Sequence, residues 1–533
     1  MKRYGILSTL AFIALAAAAV WLGGLNQDEG WYLYAARLVE EGKVPYRDFA
    51  YTQGPLLPIV YSVFCGAWEQ FGVLGGRVVT ISIGLMGLLF AAALARLLAA
   101  EGRKGAAGVI AFMLLGCNLY HIYYLAIPKT YALASFFLLM GFYLMAFGLI
   151  KCRAKFLRRM MLFGSGICLS FAAGARISTG ACLAVAGFAL LAQFKKHGWA
   201  FAALGLGGAL GLALIYGPFV ALPGFHDAIL YHTSRGGFDP MITLGSFSRL
   251  VRWYLPVFVL AGMIFFKSRK NCGIVEMWSL HDQAHAKKTD CQGPCCTEPQ
   301  NGNFSVPQSS SQSDILRIMV LSFLAVFVVQ MLAPFPYEDY QVPVMALLAV
   351  FVAAKISSVA MFSVSRVALL TLGMTWACSF GSPLLEKWMT NPQDRFWPQK
   401  KEKCELSQLQ DMAKVIETID PGGKTLLTQD LYLAIETNRK VPEGLEMGPF
   451  SILTEEQWVK LLRSAPCPVA ATSGYTFAIN PPVCDERPME QQMDFWGILK
   501  DNYDIVMKED AFGQNATPLL ILLRKDRGLY AGR

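Results

Sequence analysis

The stretch NQDEGWYLYAARLVEEGKVPYRDFAYTQGPLLPIVY, residues 26–61, directly follows the first apolar segment of the chain and decides how the rest is read. It opens on the carboxylate pair Asp28-Glu29, which is costly to hold beside apolar segments at a membrane surface and is seldom there without a task. The sequence continues as a short amphipathic helix through AARL, and Gly42, Pro45 and Gln53-Gly54-Pro55-Leu56 then shape a loop. The segment before it, Gly5 to Leu25, has the basic start Met1-Lys2-Arg3 of a signal peptide but runs about 20 residues, enough to span. With no good small-residue cleavage site ahead of the acidic pair, it reads as a retained anchor.

The chain has 533 residues, 54% hydrophobic and 16% charged, with a mean hydropathy of +0.41. That is too apolar for a soluble protein of this length and describes an integral membrane protein. The net charge of +9 invites a nucleic-acid reading, but Lys and Arg gather at the ends of apolar segments. Arg96/Arg103/Lys104, Lys151 to Arg159, Lys195/Lys196 and Lys267/Arg269/Lys270 mark one side as cytoplasmic and put the amino terminus inside. Candidate spans are 5–25, 77–98, 105–120, 130–150, 160–175, 179–194, 199–221, 250–267, 315–334, 342–357 and 366–382. Counting Gly54 to Phe71 as another span would put Arg96, Arg103 and Lys104 outside, so this segment is laid along the outer interface, where Tyr61 and Trp68 suit the headgroup region.

The fold class expected is an α-helical polytopic membrane protein with about 11 transmembrane helices, interfacial helices in a first outer loop at 26–76, and a C-terminal extracytoplasmic α/β domain. The transmembrane domain covers 1–381. Within it, 271–314 is rich in Gln, Ser, Gly and Pro and reads as a disordered cytoplasmic insertion. Its His281, His285, Cys291, Cys295 and Cys296 match no established ligand spacing. The domain at 382–533 alternates strand-like runs, TLLTQ, PVAAT, YDIVM and PLLILLRK, with helical stretches such as LSQLQDMAKVIETI and EEQWVKLLRSA. Of the 13 cysteines, Cys117, Cys168, Cys182 and Cys378 lie in apolar runs as small core residues, whereas Cys404, Cys467 and Cys484 fall in an oxidising compartment, where one pair could be bridged.

Asp28, Tyr34, Ala35, Arg37, Tyr46, Gln53, Gly54, Pro55 and Leu56, closed by Phe71-Gly72 and Gly76-Arg77, together resemble the first extracytoplasmic loop of polyprenyl-phosphate-sugar-dependent glycosyltransferases of the C-type superfamily. The branch it is most similar to holds the protein O-mannosyltransferases and the aminoarabinose transferase of lipid A. The resemblance implies a multi-pass enzyme of the bacterial-type inner (plasma) membrane, amino terminus cytoplasmic and C-terminal domain extracytoplasmic. It would transfer a hexosyl or pentosyl group from a polyprenyl phosphate to a lipid, glycan or protein acceptor, with membrane lipids but no nucleic acid as partners. It also implies that Asp28, directly after the first helix, acts on the acceptor as base or metal ligand, with Glu29 as its neighbour. The chemistry agrees: phosphate is already a good leaving group, so one base and some positive charge suffice for an inverting displacement.

The next outer loop departs from the pattern. YLAIPKTYALASFF offers Lys129 after Pro128 where many relatives carry a second acid. A lysine facing the cavity suits a lipid phosphate; the alternative is an interfacial lysine snorkelling outward. Arg176, between two apolar runs, and Arg235 in YHTSRGGFDP are the other phosphate candidates, and His232, Tyr34, Tyr46, Gln53, Glu338 and Asp339 are candidates to line the substrate cavity. Glu338-Asp339 reads either as a solvated cap in an aromatic belt or as the fallback carboxylate pair. TQDLYLAIETNRKVPEGLEMGPFS, 428–451, resembles a segment of the outer domains of these transferases that packs over the cavity or contacts acceptor; a surface crossover is the plainer reading. The residues are compatible with a divalent cation, magnesium or manganese, beside Asp28, and equally with none. A transporter or lipid flippase would call for broken helices and a repeat, and an oligosaccharide ligase or polymerase for key Arg and His in a late outer loop; the sequence pattern favours neither.

Overall fold

The computed structural model describes residues 2–233, 237–271, 310–357, 363–378, 390–391, 394–398, 403–451, 453–473, 495–513 and 517–528. Residues 272–309 of the expected insertion lie outside this set, as does Cys484. The helices of the membrane part are α1 (Lys2–Leu22), α2 (Gln27–Glu40), α3 (Leu56–Ser62), α4 (Cys65–Leu98), α5 (Lys104–Gly116), α6 (Leu119–Ala126), α7 (Thr130–Ile150), α8 (Lys155–Ala175), α9 (Gly180–Ala192), α10 (Phe194–His197), α11 (Ala200–Tyr216), α12 (Pro223–Thr233), α13 (Pro240–Trp253), α14 (Leu255–Asn271), α15 (Ser310–Met331), α16 (Val342–Ile356) and α17 (Val364–Cys378).

Among the described residues six helices are long and apolar enough to cross a membrane, or up to 8 spans if each of two bent pairs is one. The chain is a multi-pass membrane protein. The shorter apolar helices Ile177–Ala192, Ala200–Tyr216 and Val364–Met374 complete the stretches expected to span. Two of those stretches are broken rather than straight. α5 and α6 meet at 72°, and α13 and α14 at 88°. The first break follows Gly116, and Asn118 restarts the helix by capping the His121 amide at 3.0 Å. The second has Pro256 in the first turn of α14, where its missing N–H costs nothing. Asn118 Nδ2 also donates to the Trp253 carbonyl at 3.0 Å, and Tyr120 stacks on Trp253, so the two elbows are locked together.

The helix bundle has two distinguishable ends. Asp314, now seen to lie on α15 rather than in the insertion, pairs with Lys196 and with His197 at 3.1 Å, and Gln312 donates to the Leu97 carbonyl at 3.2 Å. At the other end lie α2, α3 and the tail. The stretch expected along the interface forms α3 and the first turns of α4, which kinks at Gly72. Gly72 has φ +58, and a Cβ there would fall 2.1 Å from the Glu436 carboxylate, which itself accepts the Val73 amide at 2.8 Å.

The tail holds a three-stranded antiparallel sheet, Val469–Ser473 against Thr517–Arg524 against Tyr503–Phe512, with Ala471 opposite Ile521 and Ile505 opposite Leu522. Helices Glu405–Ile419 and Glu455–Ser464 fall where the sequence placed them. TLLTQ is not a full strand. Leu426 donates to Lys440 at 2.8 Å and Leu427 to Val469 at 3.1 Å, but the pairing lasts for isolated bridges only. Cys404 and Cys467 are free thiols, so these two do not form the bridge considered above.

The segment 428–451 docks on the first loop. The Leu431–Glu436 helix lies so close to α2 that a Cβ on Gly30 would come within 2.2 Å of the Tyr432 nitrogen and 2.6 Å of the Leu431 carbonyl carbon. Both obstacles are backbone. Gly30→Ala is therefore expected to destabilise the protein by about 3 kcal/mol or to push the tail off α2, read as a lowered Tm and faster proteolysis between residues 403 and 451. A wild-type digestion pattern would refute the close approach.

Asp430 is wholly buried in this segment and accepts from the Tyr432 hydroxyl at 3.0 Å and from the Ser473 amide and hydroxyl at 3.2 and 3.1 Å. Burial pushes its carboxyl up to about 6, against the pull of those hydrogen bonds. A raised folded pKa means the folded state holds the proton more tightly. This group's contribution is full below the unfolded value near 4 and declines by ~3 kcal/mol as pH rises to about 6. Thermal unfolding of the full-length protein across that window is expected to depend less on pH in Asp430→Asn; an unchanged slope would contradict it.

Candidate active site

The Asp28-Glu29 pair is split by helix geometry, since neighbours on a helix point about 100° apart. Asn26 caps α2, accepting the Asp28 amide at 3.1 Å, while Glu29 reaches back to the Asn26 amide at 2.8 Å. Glu29 then turns inward to Arg77 on α4, with Nε to Oε2 and Nη2 to Oε1 both 2.7 Å and both side chains 0% exposed. The same guanidinium donates to the carbonyls of Val20, Gly23 and Gly24 at 2.9 to 3.0 Å, which ties the end of α1 to α2 and α4. Glu29 is thus committed to the fold, away from Asp28.

Asp28 faces the opposite way, 27% exposed, towards the connections that the sequence reading places outside. Lys129, at the N-cap of α7, puts its ammonium 2.8 Å from Asp28 Oδ2 and 3.4 Å from Asp339 Oδ2. Asp339 belongs to the 3-10 turn Glu338–Gln341 ahead of α16 and also accepts from the Tyr131 hydroxyl at 2.7 Å. Arg176, in the break after α8, stacks on Tyr340 and Tyr131 with Cζ 4.2 and 5.0 Å from the ring centres. Its hydrogen bond to Thr130 Oγ1 is long at 3.4 Å, and its Nε is buried without a partner. Glu338 pairs with Arg249 of α13 at 3.1 Å. Four connections far apart in sequence thus deliver Asp28, Lys129, Arg176 and Glu338-Asp339 to one place.

An aromatic wall completes it. Trp31 Nε1 donates to Asp28 Oδ1 at 3.3 Å, and its ring stacks on Tyr32 at 4.1 Å and meets Tyr51 at 5.2 Å. Burial, and then the charge of Asp28, push the Tyr32 hydroxyl far above its usual range, so it stays a neutral donor.

The other expected residues lie elsewhere or further along. Tyr34 accepts the Val441 amide at 3.0 Å in the seam between α2 and the tail. Tyr46, in the left-handed region at φ +66, is one ring beyond Tyr51, at 6.0 Å, and its hydroxyl donates to the Gln53 carbonyl. Arg235 and the side chain of His232 lie outside the described residues. Arg249, Tyr131, Tyr340, Trp31 and Tyr32 were not foreseen. For Arg249 a signal existed, since two arginines in SFSRLVRW at the outer end of a span run against the positive-inside rule.

A bridging divalent cation does not fit this arrangement, because the Lys129 ammonium occupies the position between the two carboxylates. Among the described residues no three His, Cys, Asp or Glu side chains converge on a point.

The bundle, with its folded first loop under an α/β tail, is an architecture already seen in solved structures. The chain is similar to ArnT from Cupriavidus metallidurans bound to undecaprenyl phosphate, with a TM-score of 0.61 at 11% identity over 97% of both chains. The apo state of the same protein gives 0.58 at 12% over 98% of both. An oligosaccharyltransferase from Archaeoglobus fulgidus, complexed with Zn and sulfate, is more distant, at 0.45 and 12% over 95% of this chain and 72% of that one. At such identities the likeness is one of fold. No family model matches the sequence, and no curated protein matches it.

Proposed function

We propose that the protein transfers a sugar from a polyprenyl-phosphate donor to an acceptor hydroxyl at the outer face of the plasma membrane, with inversion at the anomeric carbon. The observation that supports it most is the convergence of Asp28 with Lys129, Arg176 and Asp339 at the end of the bundle that carries the tail. Three carboxylates, Asp28, Asp339 and Glu338, set among three cations, Lys129, Arg176 and Arg249, suit a reaction in which a hydroxyl loses a proton while a phosphate gains charge.

In this mechanism Asp28 accepts the hydroxyl proton, and the hydroxyl oxygen forms a bond to the anomeric carbon on the face opposite the phosphate. The bond from that carbon to the phosphate oxygen breaks, and the polyprenyl phosphate leaves with the electron pair. Arg176, Lys129 and Arg249 steady the phosphate, with Arg235 a further candidate from the sequence. Trp31 orients Asp28, Tyr32 donates to the sugar or the phosphate, and Tyr46 and Gln53 shape the far wall of the cavity. No step is routed through a metal. The domain at 382–533 would lie outside the cell over the site, and the insertion between α14 and α15 on the cytoplasmic side.

The test is reconstitution of the purified protein in liposomes with a panel of labelled polyprenyl-phosphate sugars and membrane acceptors. Transfer by the wild type but not by Asp28→Asn is expected. Chemical labelling that placed Asp28 on the cytoplasmic face would overturn the reading.

A further inference from the structure

Resting on that function, we infer that Lys129 is a shared counter-ion that changes partner during the reaction, passing from Asp28 to the phosphate as the acceptor proton arrives on Asp28.

The geometry carries three parts of this. The Lys129 ammonium, 9% exposed, is held between Asp28 and Asp339 at 2.8 and 3.4 Å and over the rings of Tyr124 and Tyr131 at 5.8 and 5.4 Å. It has three protons on a flexible stem and can turn among acceptors without leaving its seat. Arg176, by contrast, pairs with no carboxylate among the described residues; aromatic rings hold its guanidinium, and its Nε has no partner. That leaves donors for an anion beside Tyr131, the ring Lys129 also faces. Asp339 is anchored by Tyr131 at 2.7 Å and keeps one carboxylate beside Lys129 whatever Asp28 does.

Charge bookkeeping supplies the rest. A sugar phosphodiester carries one negative charge and the released polyprenyl phosphate up to two, while Asp28 goes from one to none as it takes the proton. The negative charge therefore moves from Asp28 to the phosphate with no change in the total. An ammonium lying between them follows it over a short distance, so neither carboxylate nor phosphate is left bare in a partly buried site. Asp28 is masked while the site rests and is released as a base only when a phosphate is there to take Lys129.

The test is binding of undecaprenyl phosphate to the full-length protein in detergent, as a double-mutant cycle on Asp28→Asn and Lys129→Met. The introduced amide imitates the protonated acid, so Asp28→Asn is expected to bind the lipid phosphate on the order of tenfold more tightly than wild type while losing transfer. The gain should vanish when Lys129→Met is added. Equal or weaker binding by a folded Asp28→Asn protein overturns the inference. So does a gain that persists without Lys129, which would mean simple relief of repulsion. Should Lys129→Met not fold, Lys129→Gln serves in its place. A wild-type protein that binds no lipid phosphate at all removes the transferase reading itself, a different outcome from either.

Discussion

Asp28→Asn is expected to lower sugar transfer by about a thousandfold, within the range that a lost general base costs, while leaving the Tm close to wild type. Asparagine keeps the size of the side chain and can still accept from Trp31 Nε1, now at 3.3 Å. It cannot take a proton. Asp339 offers no replacement from where it sits, because its Oδ2 is shared between Tyr131 and Lys129 at 2.7 and 3.4 Å. The control is Glu29→Gln, which should do the reverse: a loss of stability from the weakened Arg77 pair, with transfer per folded molecule much less affected. Single-turnover transfer on both variants, with Tm measured on the same preparations, separates the two. If Asp28→Asn transferred at close to the wild-type rate, Asp28 would have to be withdrawn from the chemistry.

That contrast shows what the sequence could tell and what it could not. Adjacent acids after a first span can be recognised as unusual from cost alone, and the surrounding Gly, Pro and aromatic residues gave the loop its resemblance. Which acid faces Lys129 depends on where Arg77 lies, a contact 48 positions away in sequence. The resemblance of the loop makes Tyr34 a cavity candidate, yet its hydroxyl accepts from the Val441 amide, 407 positions away. Lys129, Arg176 and Asp339 could be singled out because ionisable groups beside apolar runs need a reason, and the structure brings all of them together with Asp28. The broken spans escaped notice because no run of prolines or glycines marks either bend as a break between two helices. Their geometry comes from the tertiary bond of Asn118 to Trp253 and the Tyr120 stack, which no local period encodes. Those elbows matter to the site, since α6 leads into Lys129 and α13 carries Arg249.

Arg77→Met should be the most destabilising single change in the membrane part. The guanidinium is 0% exposed and satisfies both oxygens of Glu29 and the carbonyls of Val20, Gly23 and Gly24. Taking it away leaves an ionised carboxylate buried without its partner, a loss of about 3 to 5 kcal/mol, and frees the end of α1 from the start of α2. The Asn26 amide still donates to Glu29, which satisfies one oxygen but not the charge. The same physics predicts rescue. Glu29→Gln with Arg77→Met removes both charges together and should recover a large part of the loss, because a neutral amide costs far less to bury than an unpaired carboxylate. Thermal unfolding of the two single variants and the double variant in detergent gives the coupling directly. A double variant no more stable than Arg77→Met would mean that the carbonyl contacts to α1, rather than the ion pair, hold this corner. Asp28 would then owe its position to the end of the first helix more than to its acidic neighbour.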